Sequence, residues 1–272
     1  MTTMATPATP AARRGLRPRG PLWAVLRLHR SALLVWGAYV LGMAGWMLWL
    51  RIVALDGIWR ESASCSRRGG CVDIESAMSY STDMSMIGTL VSYLSYGVAA
   101  WAGAALTGRE LERGTAQLSW TQSVTPVRWL VVKLTVPAAL LVLGTTVLVL
   151  LYRSAWGADR SVMGDEWYYP DPMVNRGPLL VAYALCALAV GALAGLALKR
   201  ALPALGVALG FMVWFHLYLD RHTEDLWATD QYIEARPPSD FWPLHLTATG
   251  VVLAVTVLAT AAAFWLLGRR TR

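Results

Sequence analysis

The chain has 272 residues, of which 56% are hydrophobic and only 15% are charged, and it contains 14 tryptophans. This composition lies far from that of water-soluble domains and excludes an ordinary soluble globular fold. The formal net charge at pH 7 is +7. Because the basic residues gather in a few short segments, we interpret this excess as membrane topology and attraction to anionic lipid, not as nucleic-acid binding.

Six uncharged runs are long enough to cross a membrane. A hydrocarbon core of about 30 Å takes roughly 20 apolar residues as helix, and helices satisfy their own backbone hydrogen bonds in lipid. The sequence therefore predicts an all-α integral membrane protein with a six-helix transmembrane domain over residues 31–268. The predicted spans cover residues 31–50, 84–108, 134–152, 177–198, 201–219 and 241–268.

The distribution of charge predicts the orientation of these spans. One side of the membrane would carry both termini, residues 109–133 and the pair Lys199 and Arg200, with 15 basic and two acidic residues. The other side would carry the remaining nine basic and 15 acidic residues. Short cytoplasmic loops are enriched in Lys and Arg. We therefore predict a multi-pass protein of the cell membrane with both termini cytoplasmic and residues 269–272 as a cytoplasmic tail.

The N-terminal region precedes the first predicted span. Residues 1–20 are rich in Thr, Ala, Pro and Arg, which predicts a disordered cytoplasmic arm. Residues 21–30, PLWAVLRLHR, mix apolar and basic side chains and predict an amphipathic helix at the membrane interface. A cleaved signal peptide is the alternative. It is disfavoured because the apolar run is too long and no convincing A-x-A site follows it.

Three cysteines occur in the sequence. Cys65 and Cys71 flank the turn SRRGG in the predicted outer segment 51–83. Two cysteines this close, facing away from cytosolic reductants, predict a disulfide. A redox role is the less favoured alternative because no C-x-x-C is present. Cys186 lies alone within a span, where we predict a packing role.

Small residues in three spans predict close packing. G-x-x-x-G pairs occur at residues 191–195 of the fourth span and 206–210 of the fifth, and this spacing lets helices approach closely. In the second span, four positions at i, i+3, i+4 and i+7 share one helix face, which we expect to meet protein or a cavity. These positions are Ser92, Ser95, Tyr96 and Ala99.

Residues 109–133, RELERGTAQLSWTQSVTPVRWLVVK, form the main polar segment on the predicted cytoplasmic side. Gly114 predicts a bend between two short helices, and Pro126 predicts the restart of helix into the third span. Glu110 and Glu112 are the two carboxylates on an otherwise basic face, so they suit a partner that presents Arg or Lys. The alternative is local pairing with neighbouring arginines on a solvated loop.

This segment resembles the cytoplasmic coupling region of ATP-binding-cassette exporter permeases of the type V fold, particularly six-span bacterial drug and antibiotic exporters. It shares the pattern R-E-x-E-x-G-T, then a Leu, a Pro and a downstream Lys. We name residues 109–133 the coupling segment. The order of elements along the whole chain is also similar. The matching residues are Arg109, Glu110, Glu112, Arg113, Gly114, Thr115, Leu118, Pro126, Arg128 and Lys133.

The resemblance implies partners. In such permeases the coupling helix docks in a groove of a separate ATPase subunit, and by position this role falls to Glu110 and Glu112, flanked by Arg109 and Arg113. Gly114 and Thr115 would shape the turn. The resemblance also implies two ATPase copies and a permease homodimer. No G-x-x-x-x-G-K-[ST] motif is present, so we expect a non-catalytic subunit without its own cofactor, with ATP and Mg²⁺ in the ATPase.

The resemblance also implies a substrate pathway lined by the second and fifth spans. The implied function is export of a hydrophobic or amphipathic substrate by alternating access, as in drug efflux and antibiotic resistance. Acidic and aromatic residues of the predicted outer segment GDEWYYPDP could meet a cationic amphiphile, although an aromatic interfacial belt is the alternative. The candidate pathway residues are Tyr93, Tyr96, Phe211, Trp214 and Phe215.

Three other readings stay open. The chain could be a motor-independent channel or a regulatory protein that senses a ligand. It could also be an intramembrane enzyme, which is disfavoured because no span carries paired acids or an evident nucleophile and base. His216 and Asp220 share a helix face, with His222 nearby. We expect hydrogen bonding there and no metal site, since H-E-x-x-H is absent.

Overall fold

A computed structural model describes residues 27, 29–66, 75–121, 125–157, 168–222 and 238–271. In these ranges the chain is helical and contains no strand, which confirms the all-α membrane class. Six helical spans in the described part of the chain are long and apolar enough to cross a membrane. We number them in chain order: span 1 (Arg30–Ala63), span 2 (Glu75–Glu112), span 3 (Pro126–Trp156), span 4 (Leu179–Leu198), span 5 (Ala201–His222) and span 6 (Phe241–Arg270).

Two of the spans are built from more than one helical segment. Span 1 joins α1 (Arg30–Trp49), a π-helical turn (Leu50–Ala54) and α2 (Leu55–Ser66). Span 2 joins α3 (Glu75–Ser92), α4 (Leu94–Trp101), a π-helical turn (Ala102–Gly108) and α5 (Arg109–Glu112). The remaining elements are α6 (Thr115–Thr121), α7 (Pro126–Trp156), α8 (Pro170–Asn175), α9 (Leu179–Leu198), α10 (Ala201–His222), a 3₁₀ turn (Pro238–Asp240) and α11 (Phe241–Arg270).

The helices extend beyond the apolar runs that predicted them. The first span continues through residues treated above as part of an outer segment. Leu55 and Ile58 of α2 are buried while Asp56 and Arg60 are exposed, so this extension is amphipathic and packs one face on the bundle. The length of an apolar run reflects the thickness of the hydrocarbon core. The helix itself can be longer, because it continues wherever its backbone is hydrogen-bonded and one of its faces packs against the protein.

Span 4 is the centre of the bundle. Fifteen of its 20 residues are buried, and it packs against spans 2, 3, 5 and 6. A helix surrounded on all sides needs no polar stripe, which agrees with its uniformly apolar sequence of Ala, Leu, Gly and Val. The other spans each leave one face open, as expected of helices that border lipid.

One of the two predicted glycine pairs makes the expected close contact. A Cβ added at Gly191 would lie 2.6 Å from Cβ of Ala102 and 2.8 Å from the carbonyl oxygen of Ala99, so spans 2 and 4 meet backbone to backbone. Gly206 and Gly210 have no heavy atom of another part of the described chain within 4 Å of such a Cβ. That pair therefore makes no close approach to another helix within the described chain.

The short helix α8 closes the end of the bundle opposite the coupling segment, which we call the distal end. Asn175 is fully buried, and its Nδ2 donates to the carbonyl oxygen of Gly88 at 2.8 Å and to Oγ of Ser92 at 3.0 Å. Thr89 Oγ1 donates to Oδ2 of Asp171 at 2.6 Å. These bonds hold α8 against span 2 without a covalent link.

Candidate functional site at the coupling segment

The coupling segment folds as two short helices and the first turns of span 3. Between α5 and α6, Gly114 has a φ of +72°, a left-handed conformation that favours glycine. Pro126 occupies the first turn of α7, and Thr125 caps it by accepting a hydrogen bond from the backbone N–H of Arg128 at 3.3 Å. The predicted bend and the predicted restart are both confirmed.

Glu110 lies inside this site and pairs with Lys133. The distance from Lys133 Nζ to Glu110 Oε1 is 2.5 Å, and only 3% of the lysine side chain and 16% of the glutamate side chain are exposed. The same ammonium donates to the carbonyl oxygen of Leu106 at 2.7 Å and lies 4.9 Å from the ring centroid of Trp129. Leu106 belongs to the π-helical turn of span 2, so Lys133 ties span 3 to the point where span 2 departs from regular α-helix.

Glu112 makes a second link. Its Oε2 accepts a hydrogen bond from the backbone N–H of Ala201 at 2.9 Å. Ala201 is the first residue of span 5, where backbone N–H groups lack partners within the helix and the helix dipole favours a negative charge. The side chain itself is exposed. Glu112 therefore fastens the coupling segment to the start of span 5.

The helix α6 lies against the bundle by one face. Ala116 is fully buried, and Trp120 meets Trp129 edge to face with 5.7 Å between ring centroids. The opposite face is open. Its exposed side chains are Arg113, which precedes α6, and Gln117, Leu118 and Thr121, which belong to α6. We call these four residues the outer face of α6.

The ends of spans 4 and 6 meet beside this segment. Arg270 donates from its guanidinium to the carbonyl oxygens of Leu196 and Ala197, two of the last residues of span 4. Helix ends leave such carbonyls without partners, so Arg270 caps span 4. Lys199 then adopts a left-handed conformation with a φ of +53° and turns the chain into span 5.

His29 is buried at the same end of the bundle. Its ring meets Trp101 edge to face, with 5.5 Å between centroids, and Nε2 has no hydrogen-bond partner among the described residues. Loss of solvent on burial lowers the pKa of His29, and the nearby Lys133 ammonium lowers it further. The ring is therefore neutral at pH 7. Of the predicted interfacial helix at 21–30, only Arg27, His29 and Arg30 belong to the described part of the chain.

The predicted pathway residues come from two spans that pack together. Tyr93 and Tyr96 stack with 5.3 Å between ring centroids, and Phe211 lies 5.7 Å from Phe215. Tyr93 and Trp214 are exposed, whereas Phe215 is buried. The two spans are thus neighbours, but the five side chains do not form one surface. Their role in a pathway stays a prediction.

Two residues at this place were not predicted as pathway residues. His216 stacks on Tyr183 of span 4 with 4.8 Å between centroids, and it also meets Tyr96 at 5.7 Å. For His216 the sequence offers one signal, because this histidine directly follows the candidate pathway residue Phe215. Span 4 offered no signal for Tyr183, because its uniformly apolar sequence does not show which side faces span 5.

The remaining predicted sites are placed as follows. The side chain of Cys65 and all of Cys71 lie outside the described residues, so their disulfide stays a prediction. Cys186 is fully buried, in agreement with a packing role. Within the described ranges, no group of three or more His, Cys, Asp and Glu side chains converges as a metal site would require. His222 instead contacts the carbonyl oxygen of Tyr218 through Nδ1 at 2.8 Å.

The geometry above defines a polytopic membrane protein in which a polar segment is fastened to the ends of several spans. Residues 37–222 match the family model described as ABC-2 membrane transporter related, and this match covers more than half of the chain. The chain therefore belongs to that family, which makes it a permease of the ABC-2 type, a kind of protein that associates with an ATP-binding subunit. No curated protein and no solved structure matches the chain.

Proposed function

We propose that the chain is the transmembrane subunit of an ATP-driven exporter, which moves a hydrophobic or amphipathic substrate outward by alternating access. The observation that carries this proposal is the fastening of the coupling segment. Glu110 joins it to Lys133 of span 3, and Glu112 joins it to the first N–H of span 5. A force on α5 and α6 would therefore reach spans 2, 3 and 5 together.

The two glutamates act in this proposal within the permease. Glu110 is mostly buried against Lys133, so it positions the segment instead of meeting the ATPase directly. The exposed surface of this segment is the outer face of α6, together with the side chains of Arg109 and Thr115. ATP binding and hydrolysis would take place in two copies of the separate ATPase, with ATP and Mg²⁺ held there. This chain would be non-catalytic.

Two copies of the permease would enclose the pathway. Spans 2 and 5 lie side by side and leave Tyr93 and Trp214 exposed. In a homodimer these aromatic side chains would face the partner copy and a hydrophobic substrate between them. A shift of the coupling segments would then change the side to which the pathway opens, as in other two-state domain movements.

The test is copurification from the native membrane in mild detergent. The tagged wild type is compared with Leu118→Glu, which places a charge on the outer face of α6 where Leu118 is 60% exposed. The matched control is Val127→Glu. Val127 is 54% exposed but lies on span 3, beyond α6. We expect a P-loop ATPase to copurify with the wild type and the control, and to be lost with Leu118→Glu.

Two results would count against the proposal in different ways. If Leu118→Glu retains the ATPase as fully as the wild type, the outer face of α6 is not the docking surface. If no ATPase accompanies the wild type, the transporter proposal fails, and a motor-independent channel or a ligand-sensing membrane protein takes its place.

A further inference from the structure

A small cavity opens at the distal end of the bundle, away from the coupling segment. It lies between α8 and spans 4, 5 and 6, and its volume is about 60 Å³. Its polar and aromatic lining comes from Tyr168, Tyr183, His216 and Asp220, and apolar side chains such as Met173 and Leu244 complete it. All of these residues belong to the described part of the chain.

His216 lines this cavity and carries a buried ring nitrogen without a hydrogen-bond partner among the described residues. Only 7% of the residue is exposed, one ring face is stacked on Tyr183, and Nδ1 has no hydrogen-bond partner among the described residues. Buried polar atoms in native proteins are nearly always hydrogen-bonded, so an exception calls for a ligand or a water. A neutral imidazole with its proton on Nε2 would present Nδ1 as an acceptor.

Asp220 adds a negative charge one helical turn further along span 5. It lies four residues after His216, on the same helix face, and lines the same cavity. Asp220 is exposed and forms no ion pair with any described residue. The cavity therefore combines a carboxylate, a hydrogen-bond acceptor and tyrosine rings, which together favour a cation that carries an N–H donor.

The size of the cavity limits what can enter. One water needs about 10–15 Å³ of such a cavity, so the cavity has room for several small atoms. Sites for whole drug-sized ligands are larger, about 300–1,000 Å³. Only the head group of a larger molecule can be accommodated, while its hydrocarbon part stays among apolar side chains and lipid.

We propose that this cavity binds the protonated amine head group of an amphiphile, held between the Asp220 carboxylate and Nδ1 of His216. The proposal rests on the proposed function and deepens it, because it names protonated amines with an alkyl chain as the substrate class. An anionic head group is disfavoured by Asp220. The amine can come from a membrane lipid such as phosphatidylethanolamine or from a free cationic amphiphile.

The test is equilibrium binding to the purified full chain in dodecyl maltoside, a detergent without an amine. The probes are radiolabelled N,N-dimethyldodecylamine, which carries one N–H when protonated, and dodecyltrimethylammonium, which carries none. Empty micelles give the background. The variants are Asp220→Asn and His216→Phe, and the matched control is Asp56→Asn, which removes an exposed carboxylate of α2 that does not line the cavity.

We expect saturable binding of both probes to the wild type, with tighter binding of the tertiary amine. Asp220→Asn should weaken both probes by roughly tenfold or more, because both are cations and lose the opposite charge beside them. Asp56→Asn should bind like the wild type. His216→Phe keeps a ring for stacking but removes the acceptor, so it should abolish the preference for the tertiary amine while the thermal stability of the chain shows that it is folded.

The proposal is overturned if the wild type shows no saturable binding, or if Asp220→Asn binds as tightly as Asp56→Asn. Since the assay needs no ATPase, such a result leaves the copurification test untouched, and a failed copurification says nothing of this binding. Addition of phosphatidylethanolamine identifies the source of the amine. Competition with the probe indicates the lipid, and undiminished probe binding indicates a free amphiphile.

Discussion

Lys133 is the only Lys, Arg, Asp or Glu among the described residues whose side chain is buried. Its ammonium is satisfied by the Glu110 carboxylate, the Leu106 carbonyl and the face of Trp129. A buried charge is tolerated only when its partners are in place, and removal of one partner is more harmful than removal of the pair. The stability lost on removing Glu110 alone can therefore be compared with that lost on removing Glu110 and Lys133 together.

Glu110→Ala should destabilise the chain, because it leaves the Lys133 charge buried without its partner. The expected loss is about 3 kcal/mol, measured as a lower melting temperature in detergent by size-exclusion chromatography after heating. The double variant Glu110→Ala, Lys133→Met should recover most of that loss, since it removes the charge as well. Equal destabilisation by the single and double variants would show that the pair is not a coupled unit.

His245 offers a second prediction at this scale. It is fully buried, its Nδ1 contacts the carbonyl oxygen of Met173 at 3.0 Å, and its Nε2 accepts from the backbone N–H of Leu179 at 3.2 Å. The ring thus joins α8 to the start of span 4. His245→Phe should cost about 1–3 kcal/mol for each buried group left unpaired, whereas His222→Phe, at an exposed position, should leave the melting temperature nearly unchanged.

At the scale of elements, the contact between spans 2 and 4 depends on missing side chains. Gly191→Val should force these spans apart, because its Cβ would overlap Ala102 and the backbone of Ala99. Overpacking of this kind costs about 1–3 kcal/mol. The control is Gly206→Val, where a Cβ meets nothing within 4 Å in the described chain. A melting temperature that falls equally in both variants would contradict the assignment.

The packing of α6 also belongs to this scale. The bend at Gly114 could be predicted, because a positive φ favours glycine and this preference depends on a single residue. The partners of α6 could not be predicted from that segment. Ala116 of α6 shares a buried apolar cluster with Leu196 of span 4 and Leu267 of span 6, which lie far from α6 in the sequence.

At the scale of the whole molecule, the predicted orientation can be measured. In a chain whose three cysteines are replaced by alanine, single cysteines are introduced as Arg113→Cys at the coupling end and Asp56→Cys on α2, both at exposed positions. A membrane-impermeant maleimide should label Asp56→Cys in intact cells and Arg113→Cys only after permeabilisation. The reverse pattern would place the coupling segment outside the cell.

The candidate site was predicted in part. The coupling segment was recognised from a local run of residues, and its bend at Gly114 and its restart at Pro126 follow from single-residue properties. The contacts that Glu110 and Glu112 make within the chain could not be predicted from the sequence. Glu110 pairs with a lysine 23 positions later, and Glu112 binds the start of span 5 at a separation of 89 residues. Their contact with an ATPase stays a prediction.

Composition and hydropathy were sufficient for the membrane class and for the six spans, because the free energy of transferring a segment into lipid is a local property of that segment. Tertiary structure alone decided that span 4 is central, that Gly191 packs while Gly206 does not, and that His216 and Asp220 line one cavity with Tyr183. These features depend on which helix faces meet, and helix faces meet through contacts between residues far apart in the chain.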